Sequence, residues 1–139
     1  MTVSIYKNDI PENLDLGNEI AVDTETMGLN FSRDRLCLVQ IADTKGNVHL
    51  IQIEKNQKQA RNLAMIMTDE KVVKIFHYAR FDIGVLHRNL NFMTRNIYCT
   101  KIASKLARTF SQSHGLKNLV KEILAIDISK EQQSSYWGT

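Results

Sequence analysis

The sequence predicts an α/β domain built on a mixed sheet, and three observations carry that expectation. Three apolar runs at 19–23, 36–42 and 48–53 are joined by short polar loops, as in an antiparallel meander. From residue 55 the apolar spacing switches to a helical period and then alternates helix with strand. The later strands must connect by crossovers, which places parallel strands beside the antiparallel ones.

The elements follow in order. Residues 3–6 form a short edge strand. Asp9-Ile10-Pro11-Glu12-Asn13 is a turn in which Pro11 fixes the backbone. Residues 19–23 are a buried strand, 27–34 a loop with Gly28, Asn30 and Ser32, and 36–42 a nearly continuous apolar strand. Asp43-Thr44-Lys45-Gly46-Asn47 closes a hairpin, with Gly46 available for positive φ, and 48–53 returns. Leu63, Ile66 and Met67 lie at i, i+3 and i+4 within a helix over 55–68. A strand at 72–76 leads to a helix over 79–89, on which Phe81, Val85 and Leu86 share a face. A strand at 97–99 is followed by a helix over 100–108, with Thr100 in position to cap it. Leu116, Leu119, Val120, Ile123 and Leu124 form an apolar stripe expected to pack into the core.

At 139 residues and 43% hydrophobic content the chain suits one globular domain with its own core. No apolar stretch reaches 18 residues and no charged-then-apolar leader opens the chain, so neither a membrane span nor a secretory signal is expected. Cys37 and Cys99 sit in apolar runs and read as buried thiols of a cytoplasmic protein. Charge is divided along the chain. Residues 1–70 carry 7 Lys and Arg against 11 Asp and Glu (net −4), and residues 71–139 carry 11 against 4 (net +7). An acidic centre beside a basic flank suits a polyanionic substrate.

The chemistry concentrates at Asp23-Thr24-Glu25. In a strand, side chains at i and i+2 point to one face, so Asp23 and Glu25 converge. Like charges so placed repel unless a cation lies between them. Asp82 falls in the first turn of the helix after the 72–76 strand, at the sheet edge where α/β folds bind ligands. Three carboxylates there offer hard oxygen ligands. Two ions about 3.5–4 Å apart would serve phosphodiester cleavage.

Taken in order, these segments resemble the DEDD-type 3′–5′ exonucleases, in particular the ribonuclease D branch and its small bacterial members. The resemblance rests on Asp23-Thr24-Glu25 with Thr26 to Leu29, the strand Leu36-Cys37-Leu38-Val39-Gln40-Ile41, and His77 to Asp82. It continues through Ile97 to Ala103, His114 to Leu119, and the segment from Ser129 to Ser135. It implies a ribonuclease H-like mixed sheet flanked by helices. It implies Asp23, Glu25 and Asp82 as catalytic metal ligands for two Mg²⁺ or Mn²⁺ ions, with Asp82 acting through water. Thr26 and Leu29 would lie at the terminal nucleotide, and His77 near substrate. The implied partner is the 3′ end of RNA or single-stranded DNA, cut to nucleoside 5′-monophosphates.

Arg33 and Arg35, in the loop after the first motif, are candidate phosphate contacts, as is Lys101, which shares a helical face with Lys105 and Arg108. The family pattern closes with YxxxD on a later helix. Tyr136 has no residue four positions on, and Asp127 has Ile123 four positions before it. Residues 1–139 are therefore expected to be an exonuclease domain lacking its final motif-bearing helix, with an apolar surface left for a homodimer. The alternative is a weak or inactive relative that only binds nucleic acid.

Overall fold

The computed structural model describes residues 1–129. A six-stranded sheet runs in the order β1-β4-β3-β2-β5-β6. Its strands are β1 (Val3–Lys7), β2 (Glu19–Thr26), β3 (Leu36–Ala42), β4 (Val48–Gln52), β5 (Val73–Phe76) and β6 (Ile97–Cys99). The meander β2-β3-β4 is antiparallel, while β1 joins β4, β5 joins β2 and β6 joins β5 in parallel. The mixed sheet expected from the sequence is therefore present, with β1 on one edge. Among the described residues four helices accompany it: α1 (Arg61–Met67), α2 (Ala79–Leu90), α3 (Thr100–Ala107) and α4 (Leu116–Leu124).

Alternation along the strands divides the sheet into two unlike faces. Ile20, Val22, Val39, Ile41, Ile51 and Phe76 point to one side, where Leu63 and Met67 of α1 and Val85, Leu86 and Leu90 of α2 complete the core. Each such side chain contributes about 1.5–3 kcal/mol on burial. β2 is longer than expected and buried on that side alone: Ile20, Val22 and Thr24 are buried while Glu19, Ala21 and Asp23 are exposed. Lys74 also points inward and is fully buried. Its ammonium donates to the Asp69 carbonyl at 2.5 Å, and burial pushes its pKa down.

The helix expected over 55–68 begins only at Arg61, and its cap comes from elsewhere in the chain. The Asp9 carboxylate accepts the amides of Asn62 and Leu63, each at 2.9 Å, and also that of Ile10 at 2.8 Å. Thr100 does not cap α3; its hydroxyl meets the Phe76 carbonyl and His77 Nδ1 instead. The α4 stripe departs furthest from expectation. Leu119 is buried and Val120 half-buried, but Leu116, Ile123 and Leu124 are exposed. Periodicity identified an apolar face that no described element covers. Cys37 is buried as expected, whereas Cys99 is half-buried and accepts the Ala79 amide through sulfur.

Because Asp9 satisfies two otherwise unpaired amides of α1, Asp9→Ala is expected to lower stability by about 1–2 kcal/mol. Urea denaturation measures this; an unchanged midpoint would show that the cap contributes nothing.

Candidate active site

The candidate site lies where β2 ends against the first turn of α2. Asp23 and Glu25 lie on the open face of β2, as alternation predicts. Gln40 stands opposite Asp23 on β3, and its amide donates to Glu25 Oε1 at 3.3 Å. The β2–β3 register slips between Glu25 and Thr26, a bulge that ends regular pairing at the site. On the other side of the strand, Asp82 Oδ1 accepts the Thr24 amide at 3.2 Å and the Thr24 hydroxyl at 2.5 Å. One residue of β2 thus ties α2 to the strand that carries the other two carboxylates.

Asp23, Glu25, Asp82, Thr26, Leu29 and His77 all line one cavity of about 490 Å³. Asp82 is buried and Leu29 is 84% exposed at the rim. Among the described residues, no three Asp, Glu, His or Cys side chains are close enough to hold one cation as placed. The predicted convergence therefore holds for the cavity and not for a single coordination sphere. Gln40 restrains Glu25, and Thr24 restrains Asp82.

Loss of water raises the pKa of all three carboxyls. Glu25 is pushed up to about 7 by burial and by the neighbouring Asp23 charge, against the Gln40 amide. Asp82 is likewise pushed up to about 7, by burial first and the Asp23 charge as well, against its Thr24 hydrogen bonds. Asp23, exposed on the open face of β2, is raised by the partial exclusion of water by the surrounding walls and lowered by the Thr24 backbone. Burial and Lys101 push His77 down, favouring its neutral ring, while the His114 backbone opposes them.

The loop after β2 is built around Asp34. Its Oδ2 accepts the Asn30 amide at 2.9 Å, and its carboxylate pairs with Arg33 at 2.8 Å. A Cβ on Gly28 would lie 2.4 Å from Asp34 Oδ2, so glycine admits this close approach. The Thr26 hydroxyl donates to the Gly28 carbonyl at 2.5 Å, holding the segment that presents Leu29.

The predicted arginine contacts are not brought to the cavity. Arg33 is spent on Asp34, and Arg35 turns away to donate to the Leu36 and Ile53 carbonyls. Lys101 stands nearer, its ammonium 4.3 Å from the centre of the Tyr78 ring. Arg108 of the same predicted face pairs with Glu122. Asp127 lies beyond α4 and pairs with Lys121 at 3.5 Å, as a loop residue would. Tyr136 and the matching segment from Lys130 to Ser135 lie outside the described residues.

Sequence reasoning gave no role to Thr24, Gln40 or Asp34. Their signals are alternation for Thr24, register for Gln40, and the Asn30-to-Asp34 spacing of an Asx-type turn for Asp34. Tyr78 stands after His77, where related enzymes often carry an asparagine, and the resemblance assigns it no substrate contact. It holds φ 64° and ψ 56°, a left-handed conformation that is uncommon for a bulky residue. Among the described residues, five of the six other non-glycine positions with positive φ are asparagine, which tolerates it; Ala125 is the remaining one.

A six-stranded mixed sheet with carboxylates at the end of its second strand and in the first turn of the helix that crosses from β5 to β6 defines a ribonuclease H-like α/β fold. Comparison with known proteins narrows this. The model of the 3′–5′ exonuclease family matches residues 5–139. The chain is 27% identical over 119 residues to ribonuclease D of Zymomonas mobilis, covering 86% of this chain and 30% of that protein. It superposes on Brucella melitensis NrnC with bound Mg²⁺ at TM-score 0.92 and 46% identity, covering all of this chain and 68% of that one. NrnC bound to pGG gives 0.93 and 48%, with the same coverage. The chain belongs to the 3′–5′ exonuclease family, in its ribonuclease D-like branch. It spans about a third of the length of the curated ribonuclease D relatives it matches.

The raised carboxyl pKa values fix a sign for pH dependence. The Glu25 and Asp82 carboxyls are pushed from their ordinary values of 4.5 and 3.8 in the unfolded chain up to about 7 in the folded one. Between those limits the folded state holds more protons, so their contribution to stability falls as pH rises. Metal-free Asp82→Asn is expected to gain stability relative to the parent between pH 5 and 8. Thermal unfolding across that range checks this, and parallel curves for the two proteins would contradict it.

Proposed function

We propose that the chain is a metal-dependent 3′–5′ exonuclease that releases nucleoside 5′-monophosphates from RNA or single-stranded DNA. The observation that carries the reading is the single cavity lined by Asp23, Glu25 and Asp82 together with Thr26 and Leu29. Its donors are hard oxygens at a sheet edge, a set suited to Mg²⁺ or Mn²⁺. B. melitensis NrnC with bound Mg²⁺, and the same protein bound to pGG, support both metal and RNA.

Asp23, Glu25 and Asp82 would hold the cations. Bound there, two divalent ions supply a nucleophile from water and steady the leaving oxygen. The chain's own residues do the rest. Gln40 bonds one oxygen of Glu25 and Thr24 one oxygen of Asp82, so the second oxygen of each would remain for a cation while these bonds orient the carboxylates. Leu29, exposed at the rim, packs against the terminal base, and the Thr26 bond to Gly28 holds Leu29 there. Tyr78 and Lys101 stand beside the cavity, and Lys101 is well placed to meet substrate phosphate.

The second reading is a weak or inactive relative that binds nucleic acid without turnover. We further propose that the chain works in the cytoplasm and self-associates through α3 and α4. Ile102, Leu106, Leu116, Ile123 and Leu124 are exposed on those helices. Sedimentation equilibrium is expected to show a dimer that Leu106→Glu shifts to monomer; a parent that is monomeric at every concentration would contradict this.

The exonuclease reading is tested with a 3′-labelled oligonucleotide, with and without Mg²⁺ or Mn²⁺. The expected outcome is stepwise loss of the 3′ label that EDTA abolishes and Asp23→Ala slows at least about 100-fold. Retained binding of intact substrate, insensitive to Asp23→Ala, would establish the second reading instead.

A further inference from the structure

Arg33 and Arg35, which the carboxylate cavity does not use, line a different cleft of about 630 Å³. It lies between the start of β3, the loop after β4 and the last turn of α2, and shares only Met27 with the lining of the carboxylate cavity. Buried Leu36 and Ile53, with Met27, supply its apolar lining. The walls are fixed by side chains whose polar atoms are already engaged. Asn89 accepts the Leu36 amide at 3.2 Å and donates to the Val85 carbonyl at 2.8 Å. Gln57 accepts the Glu54 amide at 3.1 Å and donates to the Asn8 and Gln59 carbonyls.

The cations of the cleft are not fully engaged. Arg35 is half-buried and gives Nη1 to the Leu36 and Ile53 carbonyls at 3.1 and 2.9 Å. Its Nε and Nη2 have no partner among the described residues, and no carboxylate there pairs with it. Arg33 gives Nε and Nη2 to Asp34, which leaves Nη1. Lys55 and Lys58 are exposed on the loop after β4 and carry no ion pair among the described residues. Against these cations the lining sets Glu54 and Asp34, and Arg33 already neutralises Asp34. A guanidinium anchored by backbone carbonyls and lacking a counter-ion presents a fixed fork to two oxygens of a phosphate. Inorganic phosphate alone would leave most of the cleft unfilled, whereas its size is that of pockets that take small organic ligands. The apolar lining suits a heterocyclic base.

We propose that this cleft binds a free nucleoside monophosphate, its phosphate on Arg35 and Lys55 and its base over Met27, Leu36 and Ile53. Because Arg33 also holds Asp34, a ligand that meets its Nη1 is tied to the loop that presents Leu29. The same class of molecule is the product of the proposed reaction. Binding in this cleft needs neither metal nor turnover, so its test is independent of the exonuclease reading.

The test is equilibrium dialysis of the full chain against tritiated AMP at low ionic strength in EDTA. Saturation at one AMP per chain is expected. Lys55→Gln, at an exposed position, should weaken binding about threefold, and Arg35→Lys, which keeps the charge and loses the fork, about tenfold. Asp23→Asn, in the carboxylate cavity, should leave the affinity unchanged to within about twofold. Inorganic phosphate and adenosine, each supplying half of the ligand, should compete far less well than unlabelled AMP. Absence of saturable binding, equal affinity in the parent and in both the Lys55 and Arg35 variants, or binding lost in Asp23→Asn would overturn the proposal. Competition by inorganic phosphate equal to that by AMP would overturn it as well, because the base would then contribute nothing.

Discussion

The site depends on the pair of hydrogen bonds from Thr24 to Asp82, which join positions 58 residues apart. Thr24 lies between Asp23 and Glu25 but on the opposite side of β2. A contact made by its side chain therefore fixes the strand without occupying the open face. The same bonds hold a buried carboxylate whose ionised form is otherwise disfavoured there. Folding and site assembly thus meet in one residue: the core face of β2 is apolar up to Val22, and the next inward position is polar because α2 brings it an acid.

Around this link the surroundings divide the work. On one side Gln40 steadies Glu25, and the Asp34-centred loop sets Thr26, Gly28 and Leu29 at the rim. On the other, β5 ends in a left-handed turn at Tyr78 and starts α2 with Asp82 in its first turn. Glu25 and Asp82 are held by their own partners, and each is kept from full ionisation by the walls and by the Asp23 charge. Such a site is poised to gain stability from a divalent cation, because the cation removes the cost that burial imposes.

Much of this was legible in the sequence where the information is local. Period-2 alternation placed Asp23 and Glu25 on one face, and the helical period after residue 76 placed Asp82 in a first turn. The hairpin at Gly46, with φ 80°, followed from turn chemistry. Distant partners were not legible: nothing near Arg61 reveals that Asp9 caps α1. Arg33 and Arg35 show that a local competitor can also engage a cation, since Asp34 holds Arg33 while the Leu36 and Ile53 carbonyls hold Arg35. The α4 stripe shows the same limit: periodicity reports that a helix has an apolar face, not that a described neighbour covers it.

The central claim is that Asp23, Glu25 and Asp82 act together on a divalent cation. The most direct measurement is a Mn²⁺ titration at pH 8, followed by electron paramagnetic resonance, of the parent and of Asp23→Asn, Glu25→Gln and Asp82→Asn. The account predicts saturable binding that each substitution weakens by tenfold or more. Equal Mn²⁺ affinity in the parent and all three variants would contradict it.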